Sequence, residues 1–217
     1  PDTLARIVRI EERATVLRRT ADDTDPVERV IVANADQLVV VAALADPEPR
    51  PRLIDRCLVA AYDAGMDPLL VLTKSDLASA EDFLAQYAPL DVPHVVTSVL
   101  TEGSEGLAEL RGRLAGRTSV LVGHSGVGKS TLLLDVAAKW AETGRRTLYV
   151  TREESAAQVR LRAGRTNSLS DELYLASETD LGTVLGHIEQ TSPSLLVVDS
   201  VQTIGTTEAD GSPGGVS

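Results

Sequence analysis

Short, continuously apolar runs alternate along the chain with longer segments in which apolar residues recur at helical spacing. Runs of this length and composition are typical of strands that helices cover on both faces of a parallel sheet. We predict strands at 37–44, 67–73, 93–99, 118–123, 146–151, 172–177 and 194–200. We predict helices at 50–65, 79–88, 104–116, 129–144, 154–164 and 181–190.

Regular alternation of strands and helices indicates βαβ units, and hence an α/β fold whose mostly parallel sheet is flanked by helices. We expect one continuous sheet. Residues 5–20 differ, because their apolar and polar side chains alternate as in a β-hairpin with its turn near Glu11 and Glu12. A short N-terminal β-hairpin is therefore expected beside the sheet.

The composition supports this architecture and excludes several classes of protein. Hydrophobic residues make up 43% of the chain and aromatic residues 3%, which predicts an aliphatic core of the kind found between helices and a parallel sheet. The net charge of −11 argues against a globally basic nucleic-acid-binding protein, while leaving room for a local basic patch. Cys57 is the only cysteine, which excludes a disulfide within the chain and a zinc site built from thiolates.

The same sequence favours a cytoplasmic location. A single cysteine suits a reducing compartment. No apolar run approaches the length of a membrane span, and no signal peptide opens the chain, so we expect no membrane association. The chain begins with Pro1 and ends in DGSPGGVS, which resembles the interior of a loop, and we interpret it as part of a longer protein.

Residues 123–130, GHSGVGKS, match the phosphate-loop motif GxxxxGK[ST] at every fixed position. A predicted strand precedes the motif and a predicted helix follows it, which disfavours a chance glycine-rich turn. Backbone N–H groups and the start of the helix would bind the phosphates of a nucleoside di- or triphosphate. The nucleotide-binding residues expected here are Gly123, His124, Ser125, Gly126, Val127, Gly128, Lys129, Ser130 and Thr131.

Three of these residues have specific expected roles, which together predict a Mg²⁺-dependent P-loop NTPase. Lys129 would reach the β- and γ-phosphates and act in catalysis, and the Ser130 hydroxyl would ligate Mg²⁺. Thr131 would add backbone contacts to the α-phosphate.

A second nucleotide-binding phrase, TKSD at 73–76, follows the predicted strand at 67–73. The Asp76 carboxylate can accept hydrogen bonds from N1–H and the 2-amino group of guanine, whereas adenine offers no N1–H and would leave a buried charge unpaired. Lys74 can lay its methylene chain along the base. Thr73 stands where asparagine is usual. Alone, this short motif favours a solvated loop at a strand end, whereas the phosphate loop on a neighbouring strand favours base recognition.

In ordinary small GTPases the phosphate loop comes before the base-reading phrase, and here that order is reversed. The order of ANADQLVVV, LVLTKSD, VVTSV and VLVGHSGVGKS resembles the circularly permuted GTPases, and most closely the RsgA (YjeQ) family of small-ribosomal-subunit assembly GTPases. The resemblance covers residues 1–131 and implies that 1–25 are the end of an OB domain. It also implies that Ser98 lies in the second base-contacting loop, although the usual Ser-Ala pair is altered there.

Beyond Thr131 the chain departs from that family, because no DxPG switch occurs and one cysteine cannot build its zinc site. Residues 131–217 resemble instead the RadA (Sms) family of RecA-like DNA-repair ATPases. This resemblance implies that Asp199 is the Walker B residue holding Mg²⁺ through water and that Glu153 orients the attacking water. A strand-end cap is the alternative role for Asp199. Both families share GVGKST, which indicates a chimera joined at the phosphate loop.

We therefore expect three parts: a β-hairpin (1–25), a permuted GTPase half (26–131), and a RadA-like half (131–217) that completes the sheet. The first functional hypothesis is a GTPase that binds GTP or GDP with Mg²⁺ and has the small ribosomal subunit or its rRNA as partner. The second is an ATPase acting on DNA, and the third is a catalytically inactive nucleotide-binding module. In the expected sheet, the strand at 194–200 pairs with either 118–123 or 37–44. Asp76, Lys129, Glu153 and Asp199 would then share one carboxyl edge.

Overall fold

The computed structural model describes residues 12–19, 29–98, 105–152, 159 and 170–205. The strands are β1 (Val16–Arg19), β2 (Arg29–Ala33), β3 (Gln37–Ala43), β4 (Asp67–Thr73), β5 (His94–Val96), β6 (Ser119–Val122), β7 (Thr147–Thr151), β8 (Leu173–Ser177) and β9 (Leu195–Asp199). The α-helices are α1 (Pro51–Asp63), α2 (Glu81–Tyr87), α3 (Glu105–Leu114), α4 (Lys129–Ala141) and α5 (Leu181–Thr191). Short 3₁₀ turns follow α2 and β9.

The first sheet contains β5, β4, β3 and β6 in that order, and all neighbours are parallel. Helices α1 and α2 pack on one face, while α3 and α4 pack on the other. Every residue of β3 is buried as a result. A strand covered on both faces has no solvent-facing positions, which explains why residues 38–43 are all apolar. The predicted α/β fold is confirmed, and the phosphate-loop strand β6 lies directly beside β3.

An antiparallel pair near the N-terminus confirms the expected hairpin but gives it a different partner. Strand β1 lies inside the predicted segment 5–20, but it pairs with β2, which lies outside that segment. Residues 5–11, the first half of the predicted hairpin, lie outside the described residues. Alternation of side chains indicates a strand but does not say which strand pairs with it.

The prediction of one continuous parallel sheet is wrong. Strands β8, β7 and β9 form a second parallel sheet, and β9 pairs with β7 rather than with β6 or β3. An unpaired edge is costly where its backbone groups are buried without partners. The residues of β6 are all partly exposed, as are most of β9, so water can satisfy their outer backbone groups.

Helix α4 connects the two sheets. Leu132 and Val136 pack against the first sheet. Leu134 and Ala137, on the opposite side of the helix, pack against the second. The helix that follows the phosphate loop is therefore held by both sheets, which fixes its N-terminus relative to β6 and to β9.

Helix α4 also carries a buried carboxylate that the fold does not fully satisfy. Asp135 is 5% exposed, and its Oδ2 has no hydrogen-bond partner within the described part of the chain. Burial raises the pKa of Asp135, and the nearby Arg111 guanidinium partly opposes that rise. An ionised carboxylate in this position costs stability, because its hydration is lost without a full set of hydrogen bonds.

We expect Asp135→Asn to raise the melting temperature by a few degrees at pH 7. Because the pKa is higher in the folded than in the unfolded chain, the folded chain binds more protons between the two values. Stability therefore falls as pH rises through that window, and the advantage of the asparagine variant should shrink as pH is lowered towards about 4. Thermal unfolding across this pH range measures the effect. Glu189→Gln, at an exposed position on α5, is the control, and a lower melting temperature for Asp135→Asn at pH 7 would contradict the interpretation.

Candidate nucleotide-binding site

The phosphate loop occupies residues 123–128, between the end of β6 and the start of α4. Gly126 and Gly128 have φ angles of +83° and +91°, a conformation that glycine adopts without strain, and Gly128 is the N-cap of α4. These two residues let the loop turn back over the beginning of the helix. The N-terminus of a thirteen-residue helix then carries the positive end of its dipole at the loop.

Gly123 allows the loop to approach the neighbouring strand closely. A Cβ atom at this position would lie 2.3 Å from the Val41 carbonyl oxygen on β3. No side chain tolerates that distance to backbone, so the first glycine of the motif is required by packing. Val127, in the same loop, is also buried, which anchors the loop from both ends.

The Lys129 ammonium lies across the loop. Its Nζ donates to the carbonyl oxygens of Gly123 at 2.6 Å and His124 at 3.0 Å. These contacts place the cation beside the backbone that a phosphate would approach. Ser130 and Thr131 follow in the first turn of α4, as the motif predicts.

The TKSD segment, which the sequence predicts to read the base, is hydrogen-bonded directly to the phosphate loop. Thr73, the last residue of β4, is 3% exposed, and its Oγ1 donates to the Val127 carbonyl oxygen at 2.7 Å. The Ala42 carbonyl oxygen lies at 3.4 Å from the same hydroxyl. Thr73 therefore lies at the predicted site, but its hydroxyl faces the loop. The motif did not reveal this bond, because the two residues are far apart in sequence.

The rest of the TKSD segment is held by two neighbouring loops. Lys74 has a φ of +59°, and its Nζ donates to the Asp46 carbonyl oxygen in the loop after β3. Ser98 donates from Oγ to Asp76 Oδ1. The structure thus brings Ser98, predicted in the second base-contacting loop, into contact with Asp76. Since Thr73, Asp76 and the phosphate loop all follow the carboxyl ends of parallel strands, they share one edge of the first sheet.

Asp199 ends β9 and belongs to the second sheet, so it does not share that sheet with Asp76. Its position relative to Ser130 follows from the packing of α4. Trp140 Nε1 donates to Ser194 Oγ at 3.0 Å, which joins the end of α4 to the start of β9. From there, Ser130 is roughly 15 Å back along the helix, and Asp199 is roughly 17 Å along the strand. Ser130 and Asp199 therefore lie at similar distances from this contact, each measured along its own element.

Ser130 also lies on the helix face that turns towards the second sheet. It precedes Leu134 by four residues and Ala137 by seven, and both pack in the cluster containing Tyr149 and Val197. Asp199 lies on the same face of β9 as Val197 because side chains alternate along a strand. We therefore expect the hydroxyl of Ser130 and the carboxylate of Asp199 to lie on facing surfaces.

This donor set suits Mg²⁺, which typically takes one or two protein oxygens and fills its octahedron with water and phosphate oxygens. Asp199 Oδ2 accepts a hydrogen bond from Tyr149 at 2.8 Å, and the described contacts leave its Oδ1 available. Within the described residues, no group of three or more His, Cys, Asp and Glu side chains could hold a metal ion. A cation here would accordingly be shared with a nucleotide. Glu153, the residue expected to orient the attacking water, lies outside the described residues.

A parallel α/β sheet whose strand β6 feeds a phosphate loop and helix α4 defines a P-loop NTPase fold, here with the base-reading segment first. The model of the RsgA GTPase family matches residues 10–159. The chain belongs to the RsgA GTPase family. In the described part of the chain, no helix is long and apolar enough to cross a membrane.

Individual relatives carry two different names. The chain is 42% identical over 134 residues to the small ribosomal subunit biogenesis GTPase RsgA of Chlorobaculum tepidum, covering 58% of this chain and 42% of that one. It is 43% identical over 175 residues to the DNA repair protein RadA of Mycolicibacterium smegmatis, covering 77% of this chain and 38% of that one. This mixed similarity confirms the expected resemblance to both families.

Solved structures give a similar partial overlap. The structure of YjeQ from Thermotoga maritima is 34% identical, with a TM-score of 0.46, and the match covers 58% of this chain and 42% of that one. YloQ, described as a circularly permuted GTPase, is 28% identical with a TM-score of 0.44, over 61% and 44% of the two chains. The chain spans about two fifths of the length of the relatives named here.

Proposed function

We propose that this chain binds guanine nucleotides and hydrolyses GTP as a P-loop GTPase of the small-ribosomal-subunit biogenesis type. The observation that carries the proposal is the hydrogen bond from Thr73 to the Val127 carbonyl oxygen. It joins the segment that would read the base to the loop that would bind the phosphates. One nucleotide could therefore contact both at the carboxyl edge of the first sheet.

Each end of the nucleotide would meet a different kind of group. The backbone N–H groups of the phosphate loop and the Lys129 ammonium would bind the β- and γ-phosphates. At the other end, the Asp76 carboxylate would accept from N1–H and the 2-amino group of guanine, while Ser98 holds one of its oxygens. Adenine, which lacks both donors on this edge, would be rejected because the carboxylate would lose water without gaining partners.

Hydrolysis would depend on residues on the other side of the phosphates. Ser130 and Asp199 would hold Mg²⁺, which stabilises the negative charge that develops on the transferred phosphoryl group. From the RadA resemblance, we further propose that Glu153 orients the attacking water. Lys129 would act in binding and in hydrolysis alike, since it stays near the oxygens that gain charge.

The second candidate is an ATPase acting on DNA. The observation favouring it is the packing of β9, which ends in Asp199 and lies in the RadA-like half of the chain, against the helix that carries Ser130. In this alternative ATP would take the place of GTP, and DNA would replace the ribosomal subunit as partner. Both partner assignments follow from the names of relatives, and we propose the ribosomal one for the GTPase function.

Base preference separates the two candidates. We expect fluorescently labelled GDP to bind about 5- to 150-fold more tightly than labelled ADP, since leaving the Asp76 carboxylate without its two donors costs about 1–3 kcal/mol. Titrations at equal nucleotide concentration, with and without Mg²⁺, measure this ratio. Tighter binding of ADP would favour the ATPase. Binding of GDP without any turnover of GTP in the presence of Mg²⁺ would leave a nucleotide-binding module and contradict the proposed hydrolysis.

A further inference from the structure

Tyr149 contacts the carboxylate that would hold Mg²⁺, although no motif singles it out. The residue lies in the middle of β7, and its side chain is fully buried in the layer between the second sheet and α4. Its hydroxyl donates to Asp199 Oδ2 at 2.8 Å. In the register of the sheet, Tyr149 pairs with Val197, so its ring must reach along the strand direction to meet Asp199 two residues further on.

The hydroxyl can do more than satisfy a buried polar group. A carboxylate at the end of a strand can rotate about two side-chain bonds, and a directional hydrogen bond to one oxygen restricts both rotations. The buried tyrosine ring cannot move easily, because Leu134 and Val197 pack in the same cluster. With Oδ2 held from the sheet side, Oδ1 is left for the surface that faces Ser130.

We propose that Tyr149 is a positioning residue, whose hydroxyl orients the Asp199 carboxylate towards the Mg²⁺ that accompanies the nucleotide. The inference rests on the part of the proposed function that assigns Mg²⁺ to Ser130 and Asp199, and it does not depend on which base is bound. Groups that orient metal-binding carboxylates typically change metal affinity when removed, even though they do not touch the ion.

The chain contains a matched control for this hydrogen bond. Tyr87 on α2 is 6% exposed, and its hydroxyl donates to Asp55 Oδ1 on α1 at 3.0 Å. It is therefore a second buried tyrosine bonded to an aspartate, on the side of the first sheet away from α4. Replacing either tyrosine with phenylalanine removes one hydroxyl and keeps the packed ring. If the two variants differ in their dependence on Mg²⁺, the difference must come from where the lost hydrogen bond lies in the structure.

The experiment titrates Mg²⁺ into the full chain bound to whichever labelled nucleotide the wild type prefers, GDP or ADP. For Tyr149→Phe we expect the Mg²⁺ concentration that gives half of the gain in nucleotide affinity to rise about tenfold. Affinity in the presence of EDTA should stay unchanged, because the phosphate loop is intact. Tyr87→Phe should titrate like the wild type. In an Asp199→Asn background, Tyr149→Phe should add no further shift, since its effect passes through that carboxylate.

Three outcomes would overturn the inference and can be told apart. If the wild type responds to Mg²⁺ and Tyr149→Phe responds at the same concentration, Tyr149 is structural and the proposed function is unaffected. If the wild-type affinity does not respond to Mg²⁺ at all, the inference fails together with the metal assignment. Equal shifts in Tyr149→Phe and Tyr87→Phe would also overturn it, since a general loss of stability would then explain both.

Discussion

Replacing Lys129 with alanine is expected to weaken binding of GDP and ADP by a factor of about 100 or more, because two charge-assisted hydrogen bonds of about 1.5–3 kcal/mol each are lost. The ammonium is the cation that the motif supplies to the phosphates, and in GDP and ADP it would bond the β-phosphate. In the structure it also bonds the carbonyl oxygens of Gly123 and His124, so its removal leaves the loop less ordered. Isothermal titration calorimetry with both nucleotides measures the loss.

Lys139→Ala provides the control for this experiment. Lys139 lies on the same helix, and its Nζ forms a surface ion pair with Glu142 at 3.0 Å. Such pairs contribute little to stability, so this variant should bind nucleotide like the wild type. Undiminished affinity in Lys129→Ala would show that the loop at 123–130 is not the phosphate site.

The second large effect concerns the base. Asp76→Asn should weaken GDP binding by a factor of about 10–100 and improve binding of xanthosine diphosphate. Xanthine carries an oxygen where guanine has its 2-amino group, so it requires a donor there, and an asparagine amide can supply one. The Ser98 hydroxyl can still donate to the remaining amide oxygen, so the loop contact should survive. Competition between the two diphosphates for one labelled nucleotide measures the change in preference.

Asp67→Asn is the matched control for the base experiment. It begins the strand that Thr73 ends, and its exposed carboxylate pairs with Arg117 at 2.6 Å at the opposite edge of the sheet. Its removal should leave the ratio of guanine to xanthine affinity unchanged. The assignment of Asp76 fails if Asp76→Asn keeps the wild-type ratio.

Much of the first sheet can be predicted from the sequence, because its buried strands appear there as short runs of apolar residues. After Gln37, strand β3 is apolar throughout, since helices cover both of its faces. The phosphate loop is predicted equally well, because its glycines are required at fixed positions. Gly123, for example, leaves no room for a side chain beside the Val41 carbonyl oxygen. In both cases the cause lies within a short stretch of chain.

The features that the sequence does not predict depend on distant partners. An apolar run shows that β9 packs against something but not whether β6 or β7 lies beside it, and the structure divides the strands into two sheets. The bond from Thr73 to Val127 spans 54 residues, and the bond from Tyr149 to Asp199 spans 50. Polar residues at strand ends are common, and nothing in their spacing indicates which two will meet.

Because the two proposed nucleotide-binding segments stand in reversed order, the TKSD segment is synthesised before the phosphate loop. Strands β3, β4 and β5 are complete by Val96, before any of the phosphate loop has been made. Domains tend to fold from the N-terminus as the chain emerges from the ribosome. The end of the cleft that would select the base can therefore assemble on the nascent chain first. Strand β6 then adds beside β3, and the contact between Val127 and Thr73 is the step at which the growing chain first brings both ends of the cleft together.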